Sequence, residues 1–262
     1  MHNQDKALGA DPGMVETSDD RADIQRGGRN LTAHIVHDLG KAIVTQQFTS
    51  ATGFPFEAEL CQQYNASRPV VREAVKMLTA KGLLRPRQRS GTVVEPETNW
   101  NLLDPDVLKW LLEREFSVDL LIEFTEIRMA IEPRAAGLAA NAASGAQRRQ
   151  IVETIERMFA AERGEDDPLE ADISFHVAVL EASNNRFMRQ FRDLTESTLR
   201  FSIRRTNAYA GVTRASAVDH RKVATAIMEG DAARAIRLMH ELIQGALDLL
   251  LQAGGHEKRP DF

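Results

Sequence analysis

The sequence lacks the features that mark secreted, membrane and redox proteins. Its 262 residues include one cysteine, Cys61, which cannot form an internal disulfide and lies among apolar residues of a helical pattern. A cysteine in that setting is most often a small core residue, so we assign it no redox role. No run of 18 apolar residues occurs and residues 1–28 contain no apolar signal region, so we expect a cytoplasmic protein.

Composition divides the chain into segments of different charge. Residues 1–28 are polar and acidic with few large apolar residues, which predicts a disordered tail. Residues 29–95 contain nine Lys and Arg against five Asp and Glu, whereas the rest of the chain is acidic. A basic segment attached to an acidic body is typical of a DNA-contacting domain joined to a domain with another task.

The basic segment shows the pattern of a helix-turn-helix. The apolar spacing from Leu31 to Phe48 predicts a first helix, and a short helix over 57–64 follows a Gly-Pro turn. The next helix begins with Ser67 as N-cap and has Pro69 in its first turn. Its apolar residues share one face and its cations the other: Val71, Val75 and Leu78 against Arg68, Arg72 and Lys76. We interpret it as a recognition helix for the DNA major groove.

A β-hairpin wing is predicted directly after the recognition helix. Gly82 is placed to end that helix, and strands over 83–87 and 92–94 flank a polar turn that contains Gly91. Alternating arginines along the first strand and turn, Arg85, Arg87 and Arg89, would lie near phosphates or in the minor groove. Taken in isolation, the same arginines are better explained as a solvated hairpin face, but their position next to the recognition helix favours DNA contact.

Together these residues resemble the winged helix-turn-helix of GntR-type bacterial regulators. The resemblance covers about sixty residues, and it implies DNA contacts by Ser67, Arg68, Arg72, Arg87, Arg89 and Gly91. At two places this chain departs from the family pattern in residues that bear on the choice of operator sequence. Ala58 stands where many members carry a DNA-contacting Arg, and Pro69-Val70 replaces small polar residues at the start of the recognition helix. The operator therefore need not follow the usual family consensus.

Beyond a linker at 96–103 the sequence predicts helices alone. Amphipathic segments joined by short connections indicate an antiparallel helix bundle over 104–252, followed by a tail at 253–262. An all-helical second domain is similar to the FadR-type branch of the GntR family, whose effector-binding and dimerisation domain is the FCD domain. The linker segment Asn99–Trp110 resembles that of members that regulate sugar-acid operons. The predicted fold is thus mainly α, with a three-helix winged domain and a helical bundle.

A metal site is predicted inside the bundle. Asp172 and His176 are four residues apart on one helix face, and His220 on another helix is the candidate third ligand. An Asp–His pair at this spacing is more often a simple hydrogen bond, but the resemblance to metal-binding FCD domains raises the case for Zn²⁺, Ni²⁺ or Mn²⁺. The family pattern has a further His where this chain has Leu242, and His240 is expected to face away.

Four other residues are candidates for binding an acidic effector. Arg128 lies beside the core-facing stripe of the long helix, where it needs an anionic partner: either Glu132 or Glu126 within the protein, or a ligand carboxylate. Weaker candidates for hydroxyl or carboxylate recognition are Asn141, Arg200 and Arg204.

These patterns predict a homodimeric regulator, most simply a repressor of a sugar-acid operon that a hexonate releases from DNA. Two alternatives remain open. The same architecture could sense lactate or a dicarboxylate, or the Asp-His-His set could belong to a helical metalloenzyme. The second alternative lacks an evident nucleophile and leaves the winged helix unexplained, so we expect no enzymatic activity.

Overall fold

The computed structural model describes residues 18–87, 91–114, 117–206 and 216–254, and of residues 18–29, 201–206 and 253 it describes the backbone only. The chain divides into two compact units, with the boundary between Asn101 and Leu102. No helix of the described residues is long and apolar enough to cross a lipid bilayer.

The described part of the first unit contains three α-helices and a two-stranded antiparallel sheet. In chain order these are α1 (Ser18–Val44), α2 (Glu57–Gln63), α3 (Arg68–Ala80), β1 (Leu84–Arg87) and β2 (Gly91–Val94). Helix α1 packs on α3 and buries Ile35, Leu39 and Ile43, while α3 buries Val71 and Leu78. The predicted winged helix-turn-helix is therefore confirmed.

Helix α1 begins earlier than the sequence suggested. It starts at Ser18, so residues 18–28 are helical and the prediction of a disordered tail over 1–28 is wrong for this part; residues 1–17 lie outside the described residues. No proline interrupts the segment from Ser18 to Val44, so the backbone can continue as one helix. The low apolar content that predicted disorder does not exclude a helix.

The exit from α3 uses a glycine that no other residue can replace without strain. Gly82 has a φ of +77°, its N–H donates to Thr79 O at 3.0 Å, and Leu83 N–H donates to Leu78 O at 3.1 Å. This pair of bonds is a Schellman motif, which satisfies the last carbonyls of the helix. A Cβ at position 82 would overlap the carbonyl oxygen of Asn99, so the chain also passes very close to this glycine.

The stretch predicted as a linker is partly folded onto the first unit. Glu97–Asn99 forms a single 3-10 turn, and Trp100 behind it is 9% exposed. The Trp100 indole donates to the carbonyl of Glu95 at 3.0 Å, and the N–H of Asn101 donates to Lys81 O at 3.0 Å. Residues up to 101 thus pack against the wing and the end of α3.

The second unit is a bundle of α-helices. Its described helices are α4 (Pro105–Arg114), α5 (Val118–Ala142), α6 (Gly145–Glu162), α7 (Pro168–Ala182), α8 (Arg192–Thr206), α9 (Ala217–Glu229) and α10 (Ala232–Ala253). A short 3-10 helix, Met188–Phe191, precedes α8. Helix α10 extends to Ala253, one residue into the predicted C-terminal tail, and residues 255–262 lie outside the described residues.

Polar caps set the beginnings of the bundle helices, as the sequence signals require. Ser117, Ser144, Asp167, Ser216 and Asp231 each accept a backbone N–H at the N-terminus of the next helix. The main core lies between α5, α6, α7, α9 and α10 and is rich in alanine, which lets these helices approach closely. Helix α7, buried on most sides, runs through this core and carries two of the predicted metal ligands.

Candidate functional site

Three predicted metal ligands converge inside the second unit. Asp172 and His176 lie one turn apart on α7, and His220 lies on α9. The three side chains are 3%, 3% and 1% exposed, and their ligand atoms all lie within 4.8 Å of one another. The His220 Nε2 atom is 3.1 Å from Asp172 Oδ1 and 3.4 Å from His176 Nε2, and the latter is 3.9 Å from Asp172 Oδ1.

The outer nitrogen of each histidine fixes which ring atom carries the proton. His220 Nδ1 is 2.9 Å from the carbonyl oxygen of Ser216, and His176 Nδ1 is 2.5 Å from Glu132 Oε2. Carbonyl and carboxylate oxygens only accept, so both Nδ1 atoms donate. In the neutral imidazoles both Nε2 lone pairs therefore face the interior of the cluster.

The cluster brings together three electron-pair donors, and the hydrogen-bond donor described beside them is the terminal nitrogen of Arg128, 3.3 Å from His176 Nε2. Asp172 Oδ1 is buried and makes no hydrogen bond with any described residue, although His220 Nε2 is close to it. A buried carboxylate oxygen in this state is costly unless a cation binds it. One oxygen and two imidazole nitrogens are a ligand set that suits a divalent transition metal, so these residues fit the metal that the sequence predicted.

Two buried carboxyl groups are held ionised beside the imidazoles. Burial raises the pKa of Glu132, but the charges of Arg128 and His176 and their hydrogen bonds lower it by more, to about 2. Burial likewise raises the pKa of Asp172, and His220, His176 and Arg128 together bring it below its ordinary value. Both groups are therefore carboxylates at neutral pH, which is the form that binds a metal or orients a histidine.

Apolar side chains surround the cluster. Phe175 is fully buried and contacts both imidazoles edge-on, with ring centroids 5.4 Å from His176 and 4.9 Å from His220. Leu242 is half-buried and packs on the main core, whereas His240 on the same helix is exposed. Among the described residues, α10 thus offers no histidine as a fourth ligand, and the apolar Leu242 occupies the position expected from the family pattern.

The structure brings one of the four effector candidates to the metal cluster. Arg128 is 7% exposed; its Nε donates to Glu132 Oε1 at 2.7 Å, and one terminal nitrogen is 3.3 Å from each ring nitrogen of His176. The internal partner foreseen for Arg128 is therefore Glu132. Its terminal nitrogen also lies beside the cluster of Asp172, His176 and His220.

The other three effector candidates are not brought to the cluster. Asn141 is exposed thirteen residues further along α5, a rise of about 20 Å from Arg128. Arg200 donates to Glu170 and, at 3.0 Å, to Glu196, so two acids already bind it. The side chain of Arg204 lies outside the described residues.

The described members of the predicted DNA-contacting set lie on the surface of the first unit. Ser67, Arg68 and Arg72 are exposed along one side of α3, and the Ser67 hydroxyl makes no capping hydrogen bond. Arg72 Nε is 2.8 Å from Glu57 Oε2 in an ion pair whose side chains are 60% and 41% exposed. An exposed pair of this kind is worth little, so a phosphate can replace Glu57 as partner of Arg72.

The structure describes two of the three alternating arginines of the wing, Arg85 and Arg87, and both are exposed. Arg87 is exposed and pairs across the hairpin with Gly91, while Arg85 is held by Glu95 at 2.5 Å. Arg89 lies outside the described residues. Gly91 has a φ of +81°, and the ring of Phe56 lies close to it, so a side chain there would be strained as well as crowded.

Sequence reasoning did not assign Glu132, Ser216 or Phe175 to the cluster. The sequence offers Glu132 as an internal partner of Arg128, but the bond from Glu132 to His176 depends on how α5 packs against α7. The four-residue spacing from Arg128 to Glu132 is visible in the sequence, whereas a contact across the 44 residues to His176 is not.

Comparisons with known proteins agree with this division into two units. Residues 31–94 match the model of the bacterial regulatory proteins of the gntR family, and residues 123–245 match the FCD domain. The galactonate operon transcriptional repressor of Escherichia coli (strain K12) is 36% identical over 177 residues, which cover 68% of this chain and 77% of the relative.

A further relative comes from the same organism, and one similar solved structure is also from E. coli. The HTH-type transcriptional regulator YieP is 30% identical over 221 residues, covering 82% of this chain and 94% of its own. Among solved structures, E. coli McbR/YncC gives a TM-score of 0.48 at 18% identity, covering 85% of this chain and 98% of the other. The chain therefore belongs to the GntR family of bacterial regulatory proteins: it is a DNA-binding transcriptional regulator with an N-terminal gntR-type domain and a C-terminal FCD domain.

Proposed function

We propose that this protein represses a sugar-acid catabolic operon, binds its operator as a homodimer, and leaves DNA when a small carboxylate such as a galactonate-like hexonate binds the second unit. The observation that carries the proposal is the buried Asp172, His176 and His220 cluster with Arg128 beside it. The similarity to a galactonate operon repressor supports the sugar-acid class. We propose repression by analogy with that relative, and the dimeric state by analogy with the family.

For DNA, we propose that Ser67, Arg68 and Arg72 contact bases and phosphates of the major groove, and that Arg87, Arg89 and Gly91 form the contact of the wing. The exposure of the described members of this set supports the assignment. Arginines suit both tasks, since a guanidinium binds phosphate oxygens or the O6 and N7 atoms of guanine through two hydrogen bonds.

The DNA assignment is tested with Arg68→Ala and Arg72→Ala on an operator selected from random duplexes by the wild-type protein. Each loss of a phosphate contact should weaken binding across sequences and reduce the slope of log affinity against log salt by about 1; a lost base contact should cost about 1–3 kcal/mol at one position. Arg163→Ala is the matched control, because Arg163 is an exposed arginine bonded to Glu165 in the second unit. Unchanged operator affinity in both α3 variants would reject this recognition surface.

For the metal, we propose that Asp172, His176 and His220 hold one divalent ion. Three protein ligands leave part of the coordination sphere to water or to another ligand, as in catalytic rather than structural zinc sites. When bound, the ion would act as a Lewis acid that attracts the carboxylate of the effector. Oxygen and imidazole ligands are compatible with Zn²⁺, Ni²⁺ and Mn²⁺.

For the effector, we propose that its carboxylate binds between the cluster and the Arg128 terminal nitrogen. Only an effector with different affinities for the DNA-competent and the released conformers can change operator binding. By linkage, operator DNA must then weaken effector binding by the same factor. This reciprocity gives a quantitative check on any candidate acid.

Thermal shift of the full-length protein with a panel of acids tests this assignment. With metal present, we expect galactonate or a related hexonate to raise the melting temperature and to weaken operator binding, and His176→Ala to abolish both effects. Stabilisation by lactate or a dicarboxylate, but by no hexonate, would contradict the sugar-acid proposal and support the alternative effector class. Conversion of a hexonate to product by the metal-loaded protein would instead favour the metalloenzyme.

A further inference from the structure

The two histidines of the cluster are oriented by different kinds of group. His220 donates its Nδ1–H to a backbone carbonyl, that of Ser216, which belongs to the N-terminus of its own helix α9. His176 donates its Nδ1–H to Glu132, a side chain from α5. The orientation of His220 is thus built into the backbone, whereas the orientation of His176 depends on one residue.

Arg128 does not choose between the two nitrogens of the His176 ring. Its terminal nitrogen is 3.3 Å from Nδ1 and 3.3 Å from Nε2, so as a hydrogen-bond donor it accommodates either tautomer. Glu132 does choose, since its Oε2 lies 2.5 Å from Nδ1 and a carboxylate can only accept. Among the described residues, Glu132 is therefore the group that directs the Nε2 lone pair toward Asp172 and His220.

The Glu132 carboxylate is itself rigidly placed. It is 1% exposed, and each oxygen has its own partner, with Oε1 accepting from Arg128 and Oε2 from His176. A buried charge is tolerated only with such compensation, and truncating one partner is expensive. Glu132 therefore cannot rotate away without leaving a buried charge unpaired.

We propose that Glu132 is a positioning residue that holds His176 in the Nδ1–H tautomer and so makes the cluster competent to bind a cation. The inference rests on the proposed metal site and adds a residue from a third helix to it. Arg128 supports this placement, since it binds the oxygen of Glu132 that does not contact His176.

Glu132→Gln is the decisive variant, because an amide has one accepting oxygen while Glu132 serves two donors. If that oxygen binds Arg128, the amide NH₂ faces His176 Nδ1 and demands the opposite tautomer, which places a proton on Nε2. We expect Zn²⁺ or Co²⁺ affinity, measured by competition with a chelating indicator, to fall by about 10–100-fold. Glu123→Gln, an exposed substitution on the same helix, should leave the affinity unchanged.

A tautomer measurement on the metal-free protein separates this inference from the metal proposal. Long-range ¹H–¹⁵N correlation at about pH 8, where free imidazoles are neutral, should show the Nδ1–H form of His176 in the wild type and the Nε2–H form in Glu132→Gln. If no metal binds the wild type, the metal proposal fails while the tautomer result still tests Glu132. The same His176 tautomer in both proteins would overturn the role assigned to Glu132, as would unchanged metal affinity in Glu132→Gln.

A variant that fails to fold does not end the test. Glu132→Asp keeps two accepting oxygens on a shorter side chain, so it should retain the Nδ1–H tautomer of His176 with metal affinity between those of the wild type and Glu132→Gln. Wild-type metal affinity in Glu132→Asp together with loss of the Nδ1–H signal would show that the tautomer does not matter, and would overturn the proposal.

Discussion

Single residues decide how the first unit closes around its recognition helix. Gly82 combines a left-handed backbone with a close approach of the Asn99 carbonyl, whereas Gly53 has a similar φ of +81° but open space, with no atom within 4 Å of the point that a Cβ would occupy. A substitution at Gly53 would therefore cause backbone strain alone, whereas a substitution at Gly82 would cause backbone strain and steric overlap. A left-handed non-glycine residue costs about 1–3 kcal/mol by itself.

We predict that Gly82→Ala destabilises the first unit by clearly more than Gly53→Ala does. Gly53→Ala should cost about 1 kcal/mol, and Gly82→Ala about 2 kcal/mol or more, because the backbone around Asn99 must also move. Urea unfolding followed by Trp100 fluorescence in a Trp110→Phe background isolates this unit, since the chain has two tryptophans, one in each unit. Equal losses at the two glycines would show that the close approach carries no energy.

At the same scale, the sequence predicted features that depend on residues close together in the chain better than features that depend on contacts between distant helices. The Ser67 N-cap, Gly82 and the Asp172–His176 spacing all depend on neighbours within a helical turn, and the structure has each of them in the expected place. The bond from Glu132 to His176 depends on the packing of two distant helices, so periodicity could not reveal it.

At the scale of elements, one arginine joins two helix ends in the second unit. Arg148 donates to Ala140 O and Ala143 O at the end of α5 and to Ile227 O and Met228 O at the end of α9, at 2.5–3.2 Å. The last carbonyls of a helix lack intrahelical donors, and a cation there also complements the helix dipole. Nothing in the sequence indicates this contact, because the ends of α5 and α9 meet only in the folded unit.

Arg148→Ala should therefore lower the free energy of unfolding of the second unit by about 2–4 kcal/mol, since several carbonyls lose a charged donor at once. Arg148→Lys should recover little, because an ammonium group cannot reach both helix ends in the geometry of a guanidinium. The neighbouring Arg149→Ala, an exposed substitution, is the matched control. Trp110 fluorescence during urea unfolding reports the result, and a loss at Arg148 no larger than at Arg149 would contradict the role of a double cap.

The crossing of α5 and α10 is set by another small residue. A Cβ added at Gly137 would lie 2.6 Å from Ile236 Cγ1 and 2.7 Å from its Cδ1. Alanine is favoured over glycine inside a helix by about 1 kcal/mol, but overpacking of this degree costs about 1–3 kcal/mol. At position 137 the contact with α10 therefore favours glycine, whereas the intrinsic helix propensity favours alanine.

We expect Gly137→Ala to destabilise the wild-type protein and to stabilise an Ile236→Ala variant, so that the sign of its effect reverses. The reversal follows because removing the Ile236 side chain leaves only the helix preference for alanine. A double-mutant cycle measured by thermal unfolding checks it. If Gly137→Ala stabilises both backgrounds, α5 and α10 do not need the close approach.

At the scale of the whole molecule, the sequence predicted two modules, and the structure divides the chain into two units that contain different sets of candidate site residues. The described DNA-contact candidates all lie before Asn101, and the described metal and effector candidates all lie after Leu102. The boundaries of most bundle helices were predictable from caps and apolar spacing, whereas the start of α1 was not. Which buried polar groups meet across α5, α7 and α9 was not, because many pairings are compatible with the same helix order.

This separation predicts that metal stabilises only one half of the protein. At a free Zn²⁺ concentration of about 100 times the dissociation constant, linkage should stabilise the second unit by about 2.7 kcal/mol. Trp110 in the second unit should report an unfolding transition that shifts with metal, while Trp100 in the first should report one that does not. Single-tryptophan variants, Trp100→Phe and Trp110→Phe, keep the two signals apart, and a chelator should reverse the shift.

Asp172→Asn is the control that ties the shift to the cluster. An amide of nearly the same size can donate to the His220 Nε2 lone pair, so the metal-free second unit should lose little stability, while the metal-dependent shift should disappear because the carboxylate ligand is gone. Retention of the shift in Asp172→Asn would place the metal elsewhere. Equal shifts of both tryptophan signals would show instead that the two units unfold as one, so that occupancy of the effector domain also governs the stability of the DNA-binding domain.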